Sequence, residues 1–232
     1  MRIAMGSSLH ARSHSRLERF LMLLLLLAVL SAATPNAVEA ERAFNQDAKQ
    51  KGQWTASRQY AHPDAVMFTP QAIWARDFLK DKKDPPAASH WSPNASYMSC
   101  DGRLAVNTGP WQSADDRSSG FFTTVWEQHE GKWHWISDGR HTLKRPIAAR
   151  KTPIVRTGSC KGRAPGPPLS APPTRRPGPG GVAPADYGRG QSGDRTLGWE
   201  WRVGSNGVRQ FRAYLWNGRG YTIALDQRIG GK

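Results

Sequence analysis

The sequence predicts an α+β protein: three short N-terminal helices, then antiparallel strands, then a small C-terminal antiparallel β meander beyond a disordered Pro/Gly-rich linker. Three observations predict it. Helix-forming segments crowd residues 41–80, and strands joined by Asp-Gly and Glu-Gly turns fill residues 95–138. Residues 161–198 hold eight Pro and nine Gly and almost no large apolar side chains, too little to offset the entropy of ordering. The charge divides near residue 140. Of a formal +15, residues 41–138 carry eleven Lys/Arg against twelve Asp/Glu, and residues 139–232 carry eighteen against four.

The chain opens with an address. Phe20–Leu30 (FLMLLLLLAVL) is an apolar run that follows Arg2, Arg12, Arg16 and Arg19. A membrane-spanning helix needs about 20 apolar residues, so this shorter run reads as a secretory signal over residues 1–40. Val38-Glu39-Ala40 places cleavage after Ala40; a cut after Ala33 competes, and an uncleaved anchor is the alternative. The expected location is periplasmic or secreted, with membrane contact only through the signal. There a Cys100–Cys160 disulfide is permitted; two free thiols are the alternative. Two cysteines exclude a disulfide-dense scaffold and a four-cysteine zinc module.

A compact domain follows, residues 41–145. Glu41–Gln50 is a helix with an acidic start, Gly52 interrupts it, and Gln53–Tyr60 is a second helix stopped by Pro63. Asp64–Thr69 reads as a short strand and Ile73–Lys80 as a third helix. Ala95–Cys100 and Leu104–Gln112 flank Asp101-Gly102; Gly120–His129 and Lys132–Asp138 flank Glu130-Gly131. Within Phe121–Glu127 both faces carry large apolar residues. That strand is expected to be covered by helices on one side and by a partner subunit on the other. Residues 146–160 supply a connecting strand and residues 161–195 the linker. Residues 196–232 form the basic meander, with strands at Leu197–Val203, Val208–Trp216 and Tyr221–Leu225. No repeat of fixed period is visible.

Several local sequences resemble one family. They are Lys51-Gly52, Tyr60–Pro70 (YAHPDAVMFTP), Cys100-Asp101-Gly102 with Leu104-Ala105-Val106, Gly109-Pro110-Trp111, Phe122–Trp126 (FTTVW) and Gly131–Ile136 (GKWHWI). With the order helix, helix, strand, helix and four strands, residues 41–143 resemble the nuclear transport factor 2-like superfamily, in its SnoaL-like and ketosteroid-isomerase-like branch. The resemblance implies a cone-shaped bent antiparallel sheet around three helices, with a pocket at its open end, and a homodimer joined across the sheet. It implies either a binding module or an isomerase, cyclase or dehydratase; fold does not choose between them.

A pocket lined by Tyr60, Phe68, Trp91, Trp111, Trp126 and Trp135 suits a small flat apolar ligand; for each single ring, core is the plainer reading. Asp138 ends the last strand of this domain, and in a dry pocket its raised pKa would fit a general acid or base. Capping a turn, or pairing with Arg140 or His141, is the competing role. Asp138 and His141 alone are too few to hold a metal. No phosphate-cradling glycine motif and no nucleophile elbow occurs, so no cofactor and no metal is expected, and binding is favoured over catalysis. In the basic half, Arg202, Arg209, Arg212, Arg219 and Arg228 stand beside Trp199, Trp201 and Trp216. For an exported protein the matching partner is an anionic glycan or lipid headgroup, with no nucleic acid expected; a solvated face is the plainer alternative.

Overall fold

Asn36 sets the start of the first helix, α1 (Ala37–Lys51). Its side chain accepts from the Val38 and Glu39 amides, and the Glu39 carboxylate accepts from the Asn36 amide. This capping box satisfies N–H groups that a helix end leaves free. The structure, a computed structural model, describes residues 36–69, 71–172 and 186–230; the apolar run Phe20–Leu30 lies outside them. The boundary expected after Ala40 falls inside α1, whose Ala37 and Ala40 are buried, so the domain includes Asn36 and the first turn of α1. Among the described residues no helix is long and apolar enough to cross a membrane.

Gly52 separates α1 from α2 (Gln53–Tyr60) with φ of 106°, where a side chain would be strained. Asp84 caps α2 from a distant loop, accepting from the Trp54 and Thr55 amides and the Thr55 hydroxyl. Strand β1 (Ala61–Phe68) follows directly. The third helix is shorter than expected, α3 (Ala75–Leu79). Ala72–Trp74 is instead strand β2, drawn out by antiparallel pairing with β1.

Six more strands complete the first sheet: β3 (His90–Trp91), β4 (Ala95–Met98), β5 (Leu104–Gln112), β6 (Ser119–His129), β7 (Lys132–Thr142) and β8 (Ile154–Thr157). Their order is β2-β1-β7-β6-β5-β4-β8, with β3 beside β5. The Glu130-Gly131 turn between β6 and β7 has positive φ at both residues, as a tight hairpin requires. The sheet is mixed, not antiparallel as expected. β1 runs parallel to β7 and β8 parallel to β4, which their long connections permit. Phe44 and Ala48 of α1 pack on one face of this sheet, against Trp91, Phe122, Trp126, Trp133 and Trp135.

The C-terminal meander has four strands where three were expected, in the order β12-β11-β10-β9. They are β9 (Tyr187–Gln191), β10 (Leu197–Val203), β11 (Arg209–Trp216) and β12 (Tyr221–Ile229). The linker expected to be disordered over 161–195 is structured at both ends: β9 lies within it, and residues 161–172 form a strap across the second sheet. The Ser170 and Ala171 amides donate to the Glu200 carboxylate, each at 2.7 Å. Pro167 seats on Gly198, where a Cβ would come within 2.3 Å of the proline ring. Prolines lose little freedom on ordering, and Glu200 offers fixed acceptors.

The other face of the first sheet is covered by this second sheet. Val66, Trp74, Leu104, Val106 and Val125 pack with Leu197, Trp199, Trp201, Phe211, Ala213 and Leu215. The face expected to receive a partner subunit is therefore occupied by the chain itself. Gln227 bridges Thr123 (2.6 Å) and Thr108 (3.2 Å) across the seam, and Cys100 and Cys160 are joined by a disulfide.

Candidate functional site

A cluster of charged side chains lies on the helix face of the first sheet. Alternation along β7 would set Asp138 on the face opposite Trp135. A β-bulge prevents this: Val125 pairs with Ser137 but Trp126 pairs with Trp135, so Ile136 is an extra residue. Beyond the bulge Asp138 and Arg140 share the face of Thr124 and Phe122, directly opposite them on β6.

Glu41 projects from α1 into the same place and is fully buried. Its Oε1 accepts from Trp91 Nε1 at 2.8 Å; its Oε2 accepts from Trp126 Nε1 at 2.6 Å and Asn107 Nδ2 at 3.2 Å. Asn107 Nδ2 also donates to the Ala37 carbonyl, fixing α1 to β5. Burial pushes the Glu41 pKa up to about 7 against these three donors, and the nearby Asp138 charge adds to the rise.

Asp138 accepts from the Thr124 hydroxyl at 3.0 Å. Burial raises its pKa, opposed by Arg140, by the Thr124 hydrogen bond and by Arg209. Arg140 stands over Trp91, 4.9 Å from the ring centre, and over Trp111, at 5.7 Å. Burial lowers its pKa, while Asp138 and Glu41 favour its charge. No acceptor among the described residues hydrogen-bonds its guanidinium. Solvent still reaches Asp138 and Arg140 in part, although protein surrounds them closely. The arrangement is a cationic donor fork between two indoles, with a carboxyl group of raised pKa beside it.

Of the six expected pocket aromatics, Trp91, Trp111 and Trp126 meet here. Tyr60 packs on Phe44 and Trp126 and donates to Asp47 at 3.1 Å. Trp135 is buried core filling. Phe68 faces the other way, edge-on to Trp201 and under the Arg209 guanidinium. Glu41 was missed as a site residue. Its signal was its place on the apolar stripe Ala37, Glu41, Phe44, Ala48, where a carboxylate needs buried partners. Arg140 was read only as a mate for Asp138, because no sequence signal marks the bulge.

Of the five arginines expected on an anionic-partner surface, Arg202, Arg209, Arg212 and Arg219 do not share one face. Arg209 is buried between the sheets beside Gly139, where a Cβ would lie 2.7 Å from its guanidinium. Arg212 pairs with Asp226 at 3.0 Å. Arg202 donates to the Ser170 carbonyl of the strap, and Arg219 sits in the Asn217–Gly220 turn. Among the described residues no three His, Cys, Asp or Glu side chains converge as metal ligands.

No family model and no curated protein matches the chain. Among solved structures it is similar to a protein of unknown function of the DUF3225 family from Pectobacterium atrosepticum, at 9% identity and a TM-score of 0.36, over 45% of this chain and 87% of that one. A likeness this slight carries no argument about the site.

Proposed function

We propose that the protein is an exported, SnoaL-like binding protein for a small flat ligand that carries a carboxylate. The observation that supports this is Arg140, which stands over Trp91 and Trp111 with no hydrogen-bond acceptor among the described residues. A largely enclosed guanidinium with no hydrogen-bond acceptor is costly even beside the Asp138 and Glu41 charges, and a carboxylate matches its fork with two parallel hydrogen bonds. Trp111, half-buried beside the fork, offers apolar surface to a planar ring. Asp138, when protonated, donates a further hydrogen bond to the ligand. Binding therefore tightens as pH falls through the raised pKa of Asp138.

1-Naphthoate and 1-naphthol, titrated calorimetrically against the protein, test the reading. Naphthoate binds more tightly by roughly ten- to a hundred-fold, the worth of a charge-assisted pair, and Arg140→Gln abolishes the difference. Equal binding of the two probes by the unaltered protein rejects the reading. Export has its own test. The Asn36–Glu39 capping box survives a cut after Ala33 and is destroyed by one after Ala40, so the secreted protein begins at Thr34 on N-terminal sequencing. The disulfide is compatible with export.

A second reading, acid–base catalysis of the isomerase, cyclase or dehydratase type, rests on Asp138 alone. Its raised pKa beside Arg140 and Thr124 equips it to move a proton. Proton–deuterium exchange at the acidic carbon of a bound ketone, lost in Asp138→Asn, would favour this reading over simple binding.

A further inference from the structure

The two meanders repeat one another. Strands β4, β5, β6 and β7 neighbour each other in the first sheet as β9, β10, β11 and β12 do in the second, and the register agrees pair by pair. Ala105 faces Met98 as Gly198 faces Gln191. Asn107 faces Thr124 as Glu200 faces Arg212. Thr124 faces Asp138 as Arg212 faces Asp226. The bulge recurs at the same point, between Val125 and Trp126 in the first and between Ala213 and Tyr214 in the second.

The first hairpin of each is also closed by the same turn. Ser99 Oγ donates to Asp101 Oδ1 at 2.5 Å and accepts from the Leu104 amide at 3.1 Å. Ser192 Oγ donates to Asp194 Oδ1 at 2.6 Å and accepts from the Leu197 amide at 3.1 Å. The sequences SCDGRL (99–104) and SGDRTL (192–197) share three residues at matching places. A β-bulge and a serine-aspartate turn are separate local features, and their coincidence at one register is not a requirement of four-stranded meanders.

Corresponding parts also touch one another. The two turns dock, with the Asp101 amide donating to Asp194 Oδ2 at 2.7 Å and the Cys100 amide to Thr196 Oγ1 at 2.8 Å. Strand β5 lies against its counterpart β10. The faces that meet are corresponding faces: Leu104, Val106 and Val125 in one, Leu197, Trp199 and Ala213 in the other. Contact between like parts is the mark of a two-fold pair.

We infer that the C-terminal sheet is a second copy of the β4–β7 part of the first, carried in the same chain and docked as a built-in partner on the face expected to receive a second subunit. The copies differ in their cover. At one sheet position, Asn107 holds the backbone of α1 through the Ala37 carbonyl. At the matching position Glu200 holds the backbone of the strap through the Ser170 and Ala171 amides. The second copy's cleft, about 280 Å³ and lined by Ser170, Glu200, Arg202, Gln210 and Arg212, is not a vacant site. Glu200 is taken by the strap and Tyr214, Arg202 by the Ser170 carbonyl, and Gln210 and Arg212 by Asp226. The second copy is therefore structural, and the chain is complete as a single molecule.

Two measurements on the oxidised full chain test this. Sedimentation equilibrium gives the mass of one chain at all concentrations up to about a hundred micromolar, far above the dissociation constant of a stable dimer; a dimer overturns the inference. Native-state hydrogen exchange in rising urea then asks whether the sheets open together. Amides of β5, β6, β10 and β11 converge on one unfolding isotherm, as the halves of an obligate pair do. A separate isotherm for β9–β12 at lower urea makes the meander an appended domain and overturns the inference.

Discussion

The helix face of the first sheet and the strap face of the second begin from the same strand plan and end with opposite chemistry. On the strap face each charged group named above has its partner: Arg212 meets Asp226, and Glu200 receives two amides and the Tyr214 hydroxyl. Burial alone would raise the Glu200 pKa, but the Ala171, Tyr214 and Ser170 hydrogen bonds outweigh it and hold it below the usual range. On the helix face Arg140 has no hydrogen-bond acceptor among the described residues, and the pKa values of Glu41 and Asp138 are both pushed up. A satisfied polar network holds a fold together, whereas an unsatisfied one costs stability and is the mark of a place where something binds.

The largest effect that bears on this contrast lies at the seam between the sheets. Trp201 is almost wholly buried there, edge-on to Phe68. Trp201→Ala should cost roughly 3–5 kcal/mol in urea unfolding, the range for deleting a buried aromatic. A loss near that of a surface substitution would mean that the second sheet merely rests on the first.

Next comes Glu41. Its folded pKa of about 7 lies above the ordinary 4.5, so its favourable contribution is full below pH 4.5 and is lost as pH rises through 7. Integrated, a shift of this size is on the order of 3 kcal/mol. His62, His90, His134 and His141 have lowered pKa values, from burial first, and contribute the opposite slope at the upper end of this window. The difference between the unaltered protein and Glu41→Gln isolates the carboxylate: the gap in unfolding free energy should change steadily from pH 4.5 to 7. A gap independent of pH would place the Glu41 titration elsewhere.

How much of this was legible in the chain follows from what each element depends on. Helices at Glu41–Gln50 and Gln53–Tyr60, the Gly52 break, the strands and the Glu130-Gly131 turn are set by local propensity and side-chain period, and the sequence shows them. The parallel pairing of β1 with β7 and the insertion of β9 depend on partners far along the chain. The repeat escaped notice because few residues are shared between the copies; register and hydrogen bonds carry it. In the site, Trp91, Trp111, Trp126 and Asp138 were legible as residue types in strands. Arg140 and Glu41 were not, since one depends on a bulge and the other on a helix that starts earlier than the apolar pattern indicates.

Glu200→Ala sharpens the comparison from the other sheet. Removing the carboxylate releases the exposed Ser170 amide and strands the buried Ala171 amide, at roughly 1–3 kcal/mol for an unsatisfied buried donor. The strap should then open first. Limited trypsin digestion should cut at Lys161 and Arg163 before any site in the sheets, whereas the unaltered protein resists there. Unchanged resistance would show that Pro167 on Gly198 suffices to hold the strap.

The smallest effect is the most direct comparison, because Asp138 and Asp226 occupy one position in two copies. Asp138 has a raised pKa, chiefly from burial, so its contribution is complete below the unfolded pKa and is lost as pH rises through the folded one. Asp226 has a lowered pKa: burial opposes the shift, but hydrogen bonds from Gln210 and Arg212 outweigh it. Its contribution exists above the unfolded pKa and is lost as pH falls. Asparagine keeps the shape of each side chain and removes its titration. Asp138→Asn should match the unaltered protein in acid and exceed it by a few degrees of Tm as pH rises toward neutrality. Asp226→Asn should match it in acid and fall below it over the same range. If both variants shifted in the same direction, the two faces would not differ in kind, and Arg140 would lose its standing as the group left waiting for a ligand.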